Sequence, residues 1–428
     1  LLASFILTII FATALISFLD RISYLLAAGA ICLMLTRLGL EELGVLPQYI
    51  TYITIGLFLL PSYYFQAFKT EASLSMRLLT CVLLFGCLIF AVQSKSTVDH
   101  IAVVTLSHGI LGPLLISTLL LLFIAGENIF GIFKLATTAQ PGKKGLLHFS
   151  IIGFVYIGIC FLLFYEKENG STLNIAYLDP RLLILFSGFS AFYSFALRHS
   201  AYNNAIIKLL KHILFPLASI TLLLSYTFAV HTLNDSLQDA LDWMVIITHL
   251  CLGLSYFAYA LINFIPELIQ GLPIWKAFYA GKRTAILSLR LFGFILCIGA
   301  FLYLESRPYY SAQAAKYSIL GDLAGDLGAK EVAKRYYKQA IFNDFYSFKP
   351  NYTLLELAES DFDRAEARNR VSDLIEREDE AVAKISLANS YASGERLYQT
   401  LKVLQGGTNS LQNPQLQNNL GLAHFYYA

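Results

Sequence analysis

Long apolar runs dominate the chain as far as about Glu305, and charged residues interrupt them only as short islands. A helix needs about 20 apolar residues to cross the hydrocarbon core of a membrane. The runs predict about ten membrane-spanning helices, at 1–19, 22–40, 47–68, 77–94, 101–125, 145–165, 181–198, 209–232, 243–265 and 287–304. Pro61 interrupts the third run and "SHGILGPLL" the fifth, which membrane helices tolerate where neighbours satisfy the freed carbonyl groups.

The pattern changes after Arg307, where charged residues occur every few positions. The stretch "SILGDLAGDLGAKEVAKRYYKQAIFND", which begins at Ser318, reads as two amphipathic helices separated by a turn at Gly328. The sequence therefore predicts an all-α protein with two domains. A polytopic transmembrane domain covers 1–305, and a water-exposed helical domain covers 306–428.

This hairpin resembles a tetratricopeptide repeat. The positions that agree with the repeat pattern are Tyr317, Leu320, Gly321, Ala333, Tyr337 and Ala340. Ala324 stands where an aromatic residue is usual, and Phe345 stands where the closing proline is expected. The small residues allow the two helices to cross closely, and the large ones fill the space between them.

Two later segments resemble parts of further repeats. Leu387, Ala388 and Tyr391 are in step with the pattern, with Thr400 at a small position, and Leu420 with Gly421 begins another first helix. The resemblance covers roughly 308–428 and implies an α-solenoid that binds a protein partner along a concave face. The groove-facing positions that it implies are Ser318, Asp322, Asn389 and Asn418.

The distribution of lysine and arginine predicts the orientation of the membrane domain. Thirteen basic residues fall in one set of loops and four in the alternate set, which is rich in acids. Because basic loops stay in the cytoplasm, the helical domain is expected on the extracytoplasmic side of an inner (plasma) membrane. The thirteen are Arg21, Lys69, Arg77, Lys134, Lys143, Lys144, Arg198, Lys208, Lys211, Lys276, Lys282, Arg283 and Arg290, and the four are Arg37, Lys95, Lys167 and Arg181.

Composition excludes several classes of function. The chain is 57% hydrophobic and 14% charged with a net charge of +2, and basic and acidic residues nearly balance after Arg307, which is not the pattern of a nucleic-acid binder. All six cysteines lie inside apolar runs and show no metal-ligand spacing, so buried thiols are expected. No catalytic, metal-binding or cofactor-binding residue is predicted.

A few ionisable residues in or near the membrane runs leave alternatives open. His108, His249 and Glu127 are either single polar groups bonded between helices or parts of a proton or ion path. Glu41 and Glu42, in a short outer loop, are either interfacial charges or the acidic residue that a transferase using lipid-linked sugars requires.

The leading interpretation is a bacterial membrane scaffold rather than an enzyme. Its helical repeats would bind a protein partner in an envelope export, surface-attachment or assembly complex, and the layout is loosely similar to that of exosortase-associated membrane proteins. The alternatives are a lipid-linked sugar transferase and a transporter. The last helix pattern, from Pro414, has no partner helix to cover Leu420, Ala423 and Tyr427, so we expect the natural chain to extend beyond Ala428.

Overall fold

The computed structural model describes residues 1–43, 49–96, 98, 100–139, 143–169, 179–201, 210–270, 283–358, 361–377, 381–392, 396–406 and 413–427, and all regular secondary structure in these residues is helical. The chain forms two compact units. The first comprises Leu1–Phe228 and Ala240–Pro308, and the second comprises Ala229–Asp239 and Tyr309–Ala428. The short segment Ala229–Asp239, which is enclosed by the first unit in sequence, thus belongs to the second.

The described residues before Arg307 form eleven α-helices. They are α1 (Leu2–Ile16), α2 (Arg21–Leu35), α3 (Ile50–Ala67), α4 (Leu74–Lys95), α5 (Ile101–Gly109), α6 (Leu111–Ala139), α7 (Lys143–Asn169), α8 (Pro180–Ala201), α9 (Phe215–His231), α10 (Asp235–Ile269) and α11 (Arg283–Tyr303). A 3₁₀ turn, Leu40–Leu43, follows α2, and a π-helical turn, Leu210–Leu214, leads into α9. Each of the ten predicted apolar runs contains a helix.

Six helical stretches among the described residues are long and apolar enough to cross a membrane. They are Arg21–Leu43, Leu74–Lys95, Leu111–Thr138, Lys144–Asn169, His212–His231 and Asp235–Asn263. A bent pair of helices at 289–303 and 307–326 makes a seventh only if both count as one span. The structure therefore supports a polytopic membrane protein, and the remaining spans of the predicted ten stay predictions.

The core of the first unit is built around α6 and α10. Their apolar windows are 67% buried within the protein, against 22–33% for the other four stretches. A helix that is apolar on all sides must be covered by protein or by lipid. The other four stretches leave most of their apolar surface uncovered by the described protein, which is what contact with lipid requires.

Arg77 of α4 joins the segments that follow α1 and α3. Its side chain is 1% exposed, and its nitrogens donate to the backbone carbonyls of Ser17 at 2.8 Å, Thr70 at 2.6 Å and Ala72 at 3.0 Å. The guanidinium carbon also lies 3.8 Å from the ring centroid of Phe18. These carbonyls follow the ends of α1 and α3, where the helix dipoles favour a cation.

The second unit contains seven helices in its described C-terminal segment. They are α12 (Arg307–Asp326), α13 (Lys330–Asn343), α14 (Phe348–Glu356), α15 (Asp361–Arg377), α16 (Ala381–Ala392), α17 (Leu397–Gln405) and α18 (Pro414–Tyr427). From α13 onward each helix packs against the next, and α14 with α16 and α16 with α18 also pack as second neighbours. The helices from α13 to α18 are therefore stacked in chain order.

The first hairpin turns at the glycine that marks the turn in the sequence. Gly328 has φ +74° and donates its N–H to the carbonyl of Gly325, while Ala329 donates to the carbonyl of Ala324, both at 2.9 Å. These two bonds satisfy the last carbonyls of α12 in a Schellman motif, which requires the left-handed conformation that glycine adopts without strain.

The crossing of α12 and α13 depends on small residues. A Cβ atom on Gly321 would lie 2.6 Å from Cε1 of Tyr337, so only glycine permits this approach. Ala333 and Ala340 are fully buried at the same crossing, and Tyr337 is 3% exposed. Tyr317, by contrast, is half-buried and stacks on Tyr336 with ring centroids 6.4 Å apart.

Candidate functional site

A polar cluster joins the start of α10 to the hairpin helices within the second unit. We call Asp235, Ser236, Asp239, Ser311, Asp344 and Ser347 the acid–serine cluster. The turn before α10 positions the first residues of this cluster. Leu233 in the turn has φ 52°. Asn234 Oδ1 accepts the N–H of Leu237 at 3.0 Å and so caps α10. The amide nitrogen of Asn234 donates to the carbonyl of Ala315 in α12 at 3.1 Å. The turn is therefore bonded directly to a hairpin helix.

Asp235 caps a different helix, α14. Its Oδ2 accepts the N–H of Phe348 at 2.6 Å, and its Oδ1 accepts the N–H of Lys349 at 3.2 Å. Ser347, the residue before α14, makes no capping bond with its own side chain, and its hydroxyl donates to Asp235 Oδ1 at 3.2 Å. A carboxylate that is distant in sequence thus takes over the capping of α14.

The remaining members extend the cluster. Ser236 donates to the hydroxyl of Ser347 at 2.7 Å and to Asp344 Oδ2 at 3.4 Å, and Ser311 donates to Asp239 Oδ2 at 2.8 Å. Burial, together with the nearby carboxylates of Asp239 and Asp235, raises the pKa of Asp344 to about 7. Asp344 can therefore change charge near neutral pH.

Asp322 lies next to this cluster and corrects one sequence expectation. The repeat pattern implies a groove-facing position, but the carboxylate of Asp322 accepts the hydroxyl of Tyr337 at 2.8 Å and Lys349 Nζ at 2.6 Å. Lys349 Nζ also donates to the carbonyl of Thr232 at 2.5 Å. Burial raises the pKa of Asp322, although Lys349 and Tyr337 act in the opposite direction. Asp322 therefore links α12 to α13 and α14, while 28% of its side chain stays exposed.

The other three predicted groove positions differ in exposure. Ser318 is 1% exposed, and its hydroxyl finds no hydrogen-bond partner among the described residues, so it does not offer a surface contact. Asn389 and Asn418 are exposed. Thr400, predicted at a small position, is buried and donates to the carbonyl of Ala388 at 3.4 Å. The crossing of α16 and α17 thus resembles that of the first hairpin in having small residues at its centre.

Glu127 and Arg290 form an ion pair in the first unit that the sequence did not reveal. Arg290 donates to Glu127 Oε1 at 3.0 Å and to the hydroxyl of Tyr256 at 3.2 Å. Ser194 donates to Glu127 Oε2 at 3.3 Å, and Glu127 is 1% exposed. Because its neighbours satisfy the carboxylate on both oxygens, this site links α6, α8, α10 and α11 rather than presenting a free acid.

The two histidines that the sequence places in apolar runs have different surroundings, and only His249 lies in a helical stretch long and apolar enough to cross a membrane. His249 is fully buried, with Nε2 2.8 Å from the hydroxyl of Ser187 and Nδ1 2.9 Å from the carbonyl of Val245. His108 has no acidic residue near it in sequence, but its Nδ1 lies 3.8 Å from Glu42 Oε1. The turn that carries Glu42 is held there by Gly39, which has φ +65° and no room for a Cβ beside His108.

Two further observations limit what the described residues can bind. No three His, Cys, Asp or Glu side chains among them come together as a metal-binding group, and the six cysteines are free thiols. An open groove of about 410 Å³ between α3 and α4 is lined by apolar residues, which suits lipid chains and not a polar substrate. The lining residues are Ile53, Gly56, Leu57, Leu60, Pro61 and Leu84.

Comparison with models of protein families, with curated proteins and with solved structures gives no match for this chain. The site must therefore be interpreted from its own geometry. The sequence signal for part of it is the stretch "LNDSLQD", where Asn and Asp precede an apolar helix as capping residues do. That signal identifies the start of α10 but does not reveal that Asp235 caps α14.

Proposed function

We infer that the protein is a membrane-anchored scaffold whose helical-hairpin unit binds a protein partner on the extracytoplasmic side of a bacterial inner membrane. The unit would serve an envelope export, surface-attachment or assembly complex. The resemblance to tetratricopeptide repeats supports an α-solenoid, and its groove residues would supply the contacts. The two groove residues that remain exposed, Asn389 and Asn418, are polar and uncharged. They suit hydrogen bonding to a peptide backbone more than an ionic clamp.

The observation that carries this proposal is the stacking of α13 to α18. Each helix packs against its neighbour, and alternate helices pack as second neighbours. Such an array gains an extended surface in proportion to the number of hairpins, and binding partners along that surface is the usual role of helical arrays. Its attachment to a membrane unit supports an anchoring role.

The acid–serine cluster supports the proposed topology. The segment Ala229–Asp239 and the hairpin helices share hydrogen bonds, so both lie on the same side of the membrane. If α10 crosses the membrane, the chain must cross back before Arg307. Among the described residues between α10 and Arg307, the helix α11 (Arg283–Tyr303) is the one that would make this second crossing, and its apolar part counts as a candidate span only together with 307–326. Two crossings agree with the last two spans predicted from hydropathy.

Site-specific cross-linking tests the partner-binding role. A photoreactive residue at 389 or 418 should give one discrete adduct of the same mass in native membranes, whereas the same residue at 339, an exposed position of α13, should not. Asn418→Arg should abolish the adduct of a probe at 389, and Asn389→Arg should abolish that of a probe at 418, whereas Gln339→Arg should leave both adducts intact. Equal adducts at all three positions would contradict a defined groove.

Topology reporters test the side on which this unit lies. A reporter that is active only outside the cytoplasm should be active after Arg307 and silent in the 134–144 region. The reverse result would invert the topology.

A second candidate function is favoured by the pair of His108 and Glu42. Glu42 keeps 57% of its side-chain surface exposed while His108 keeps 14%. An accessible carboxylate beside a histidine in an early outer loop suits a general base in a transferase that uses lipid-linked sugars. Loss of sugar transfer in Glu42→Gln and His108→Gln, with transfer retained in the neighbouring Glu41→Gln, would favour this function over the scaffold.

A further inference from the structure

Exposed aromatic side chains flank the acid–serine cluster on two separate segments. Phe342, Phe345 and Tyr346, around the turn from α13 to α14, are 85%, 49% and 54% exposed. Tyr309 and Tyr310, at the start of α12, are 46% and 47% exposed. Neighbouring rings pack edge to face within each segment, at 5.4 Å for Phe345 with Tyr346 and 5.7 Å for Tyr309 with Tyr310. Apolar surface concentrated in this way marks a contact with another apolar phase.

Hydrogen bonds fix both segments to the same short piece of helix. Ser311, next to Tyr310, donates to Asp239, and Ser347, next to Tyr346, donates to Asp235. Asp235 and Asp239 lie in the first two turns of α10. The stretch of α10 that is long and apolar enough to cross a membrane begins at Asp235. If α10 crosses the membrane, its first turns and the aromatic residues beside them lie at the membrane surface.

The charges near the aromatic turn complete the pattern. Arg335 and Lys338 are exposed and precede Phe342 at helical spacing on α13, so the three side chains share one face. Aromatic side chains favour the boundary between headgroups and acyl chains, and nearby lysine and arginine side chains reach the lipid phosphates. A lipid interface matches this combination, whereas a water-facing surface would leave the rings exposed.

We propose that Phe342, Phe345 and Tyr346, together with Tyr309 and Tyr310, form a membrane-interface anchor that inserts into the phospholipid headgroup region. The partner of this surface is the lipid itself and not another protein. The anchor is independent of the proposed partner-binding groove, because Asn389 and Asn418 lie on other helices.

Labelling from within the bilayer tests the anchor on the unmodified full chain. The protein is reconstituted in phospholipid nanodiscs that contain a phospholipid with a diazirine near its headgroup, and the labelled residues are identified by mass spectrometry. Phe425 and Tyr426 of α18 provide the internal control, because they are 79% and 78% exposed and also pack edge to face, at 5.8 Å.

We expect strong labelling at 309–310 and at 342–346, with only background labelling at 425–426. Labelling at 342–346 that does not exceed the level at 425–426 would overturn the proposal and leave this surface to a protein partner. A variant with Phe342→Ser, Phe345→Ser and Tyr346→Ser should lose the label at this turn but keep it at 309–310. Loss of both labels with intact hydrogen-exchange protection of α12 would show that the two segments do not contact lipid independently, and the two-segment anchor would be wrong.

Discussion

The carboxylate of Asp235 accepts the backbone N–H of Phe348 at 2.6 Å, and so a residue at the start of α10 caps a hairpin helix 113 positions further along the chain. The neighbouring Asn234 caps α10 itself. Two consecutive side chains therefore begin two different helices.

Replacing Asp235 should open the start of α14. Asp235→Ala removes the acceptor for the amides of Phe348 and Lys349, and loss of a capping carboxylate typically costs about 1–2 kcal/mol. We expect faster hydrogen exchange at the amides of the first turn of α14, measured by mass spectrometry in nanodiscs. Asp235→Asn keeps one oxygen acceptor, so its exchange rate should lie between those of the unchanged protein and Asp235→Ala. Unchanged exchange in Asp235→Ala would show that the cap contributes nothing.

The close crossing of α12 and α13 gives a matched pair of glycine substitutions. Gly321→Ala places a methyl group against the ring of Tyr337, and such overpacking costs about 1–3 kcal/mol. Gly325→Ala, on the same helix, meets no atom within 4 Å and should be neutral or stabilise by up to about 1 kcal/mol through helix propensity. Thermal unfolding of the second unit compares them, and equal effects would contradict the crossing geometry.

The stability of the second unit should fall as the pH rises towards 7. The folded state raises the pKa of Asp344 from 3.8 to about 7, so the folded protein retains this proton where the unfolded chain has released it. Stability is then fully present below about pH 4 and is lost up to about pH 7, by at most about 1.4 kcal/mol per pH unit. Asp344→Asn should weaken this dependence, most of all above about pH 6, because burial also raises the pKa of Asp235, to about 6. The same change should raise the unfolding temperature at pH 8.

The control for this measurement is Asp326→Asn, which changes an exposed carboxylate of α12. It should leave the pH dependence as it is. A pH profile that stays the same in Asp344→Asn would assign the dependence to other groups of the cluster.

The Glu127–Arg290 pair should show strong coupling between its members. Arg290→Met leaves a buried carboxylate without its cation, which costs roughly 2–4 kcal/mol. The double change with Glu127→Gln removes the unpaired charge, so it should cost less than Arg290→Met alone. A double-mutant cycle on the unfolding free energy measures this, and simple additivity of the two changes would show that the residues do not interact.

Local signals account for the parts of the fold that could be predicted. The apolar runs locate a helix in each predicted segment because burial in lipid or protein is required of every residue in the run. Gly328 marks its turn because the left-handed conformation is a property of that one residue. Ala333 and Ala340 identify the hairpin crossing because the small size of a side chain can also be read from the residue itself.

The candidate site could not be predicted, because its contacts join residues that are far apart in sequence. Glu127 and Arg290 each look like an isolated charge near an apolar run, and 163 positions separate them. The pairing of Asp322 with Lys349 could not be seen in the sequence, because Lys349 lies two helices later. The repeat pattern alone therefore assigned Asp322 to the groove. His108 has no acidic neighbour in sequence, and only the packing of the turn at Gly39 brings Glu42 to it.

The capping of α14 by Asp235 implies an order of folding, because α10 is synthesised before α14. Synthesis proceeds from the N-terminus, so α9 and α10 enter the membrane before the hairpin helices exist. If this helix pair inserted in the wrong direction, Asp235 and Phe348 would lie on opposite faces of the membrane, and the first turn of α14 would open readily to proteases. We therefore expect folding of the hairpin unit to require correct insertion of α9 and α10, and misinserted chains to be degraded more readily.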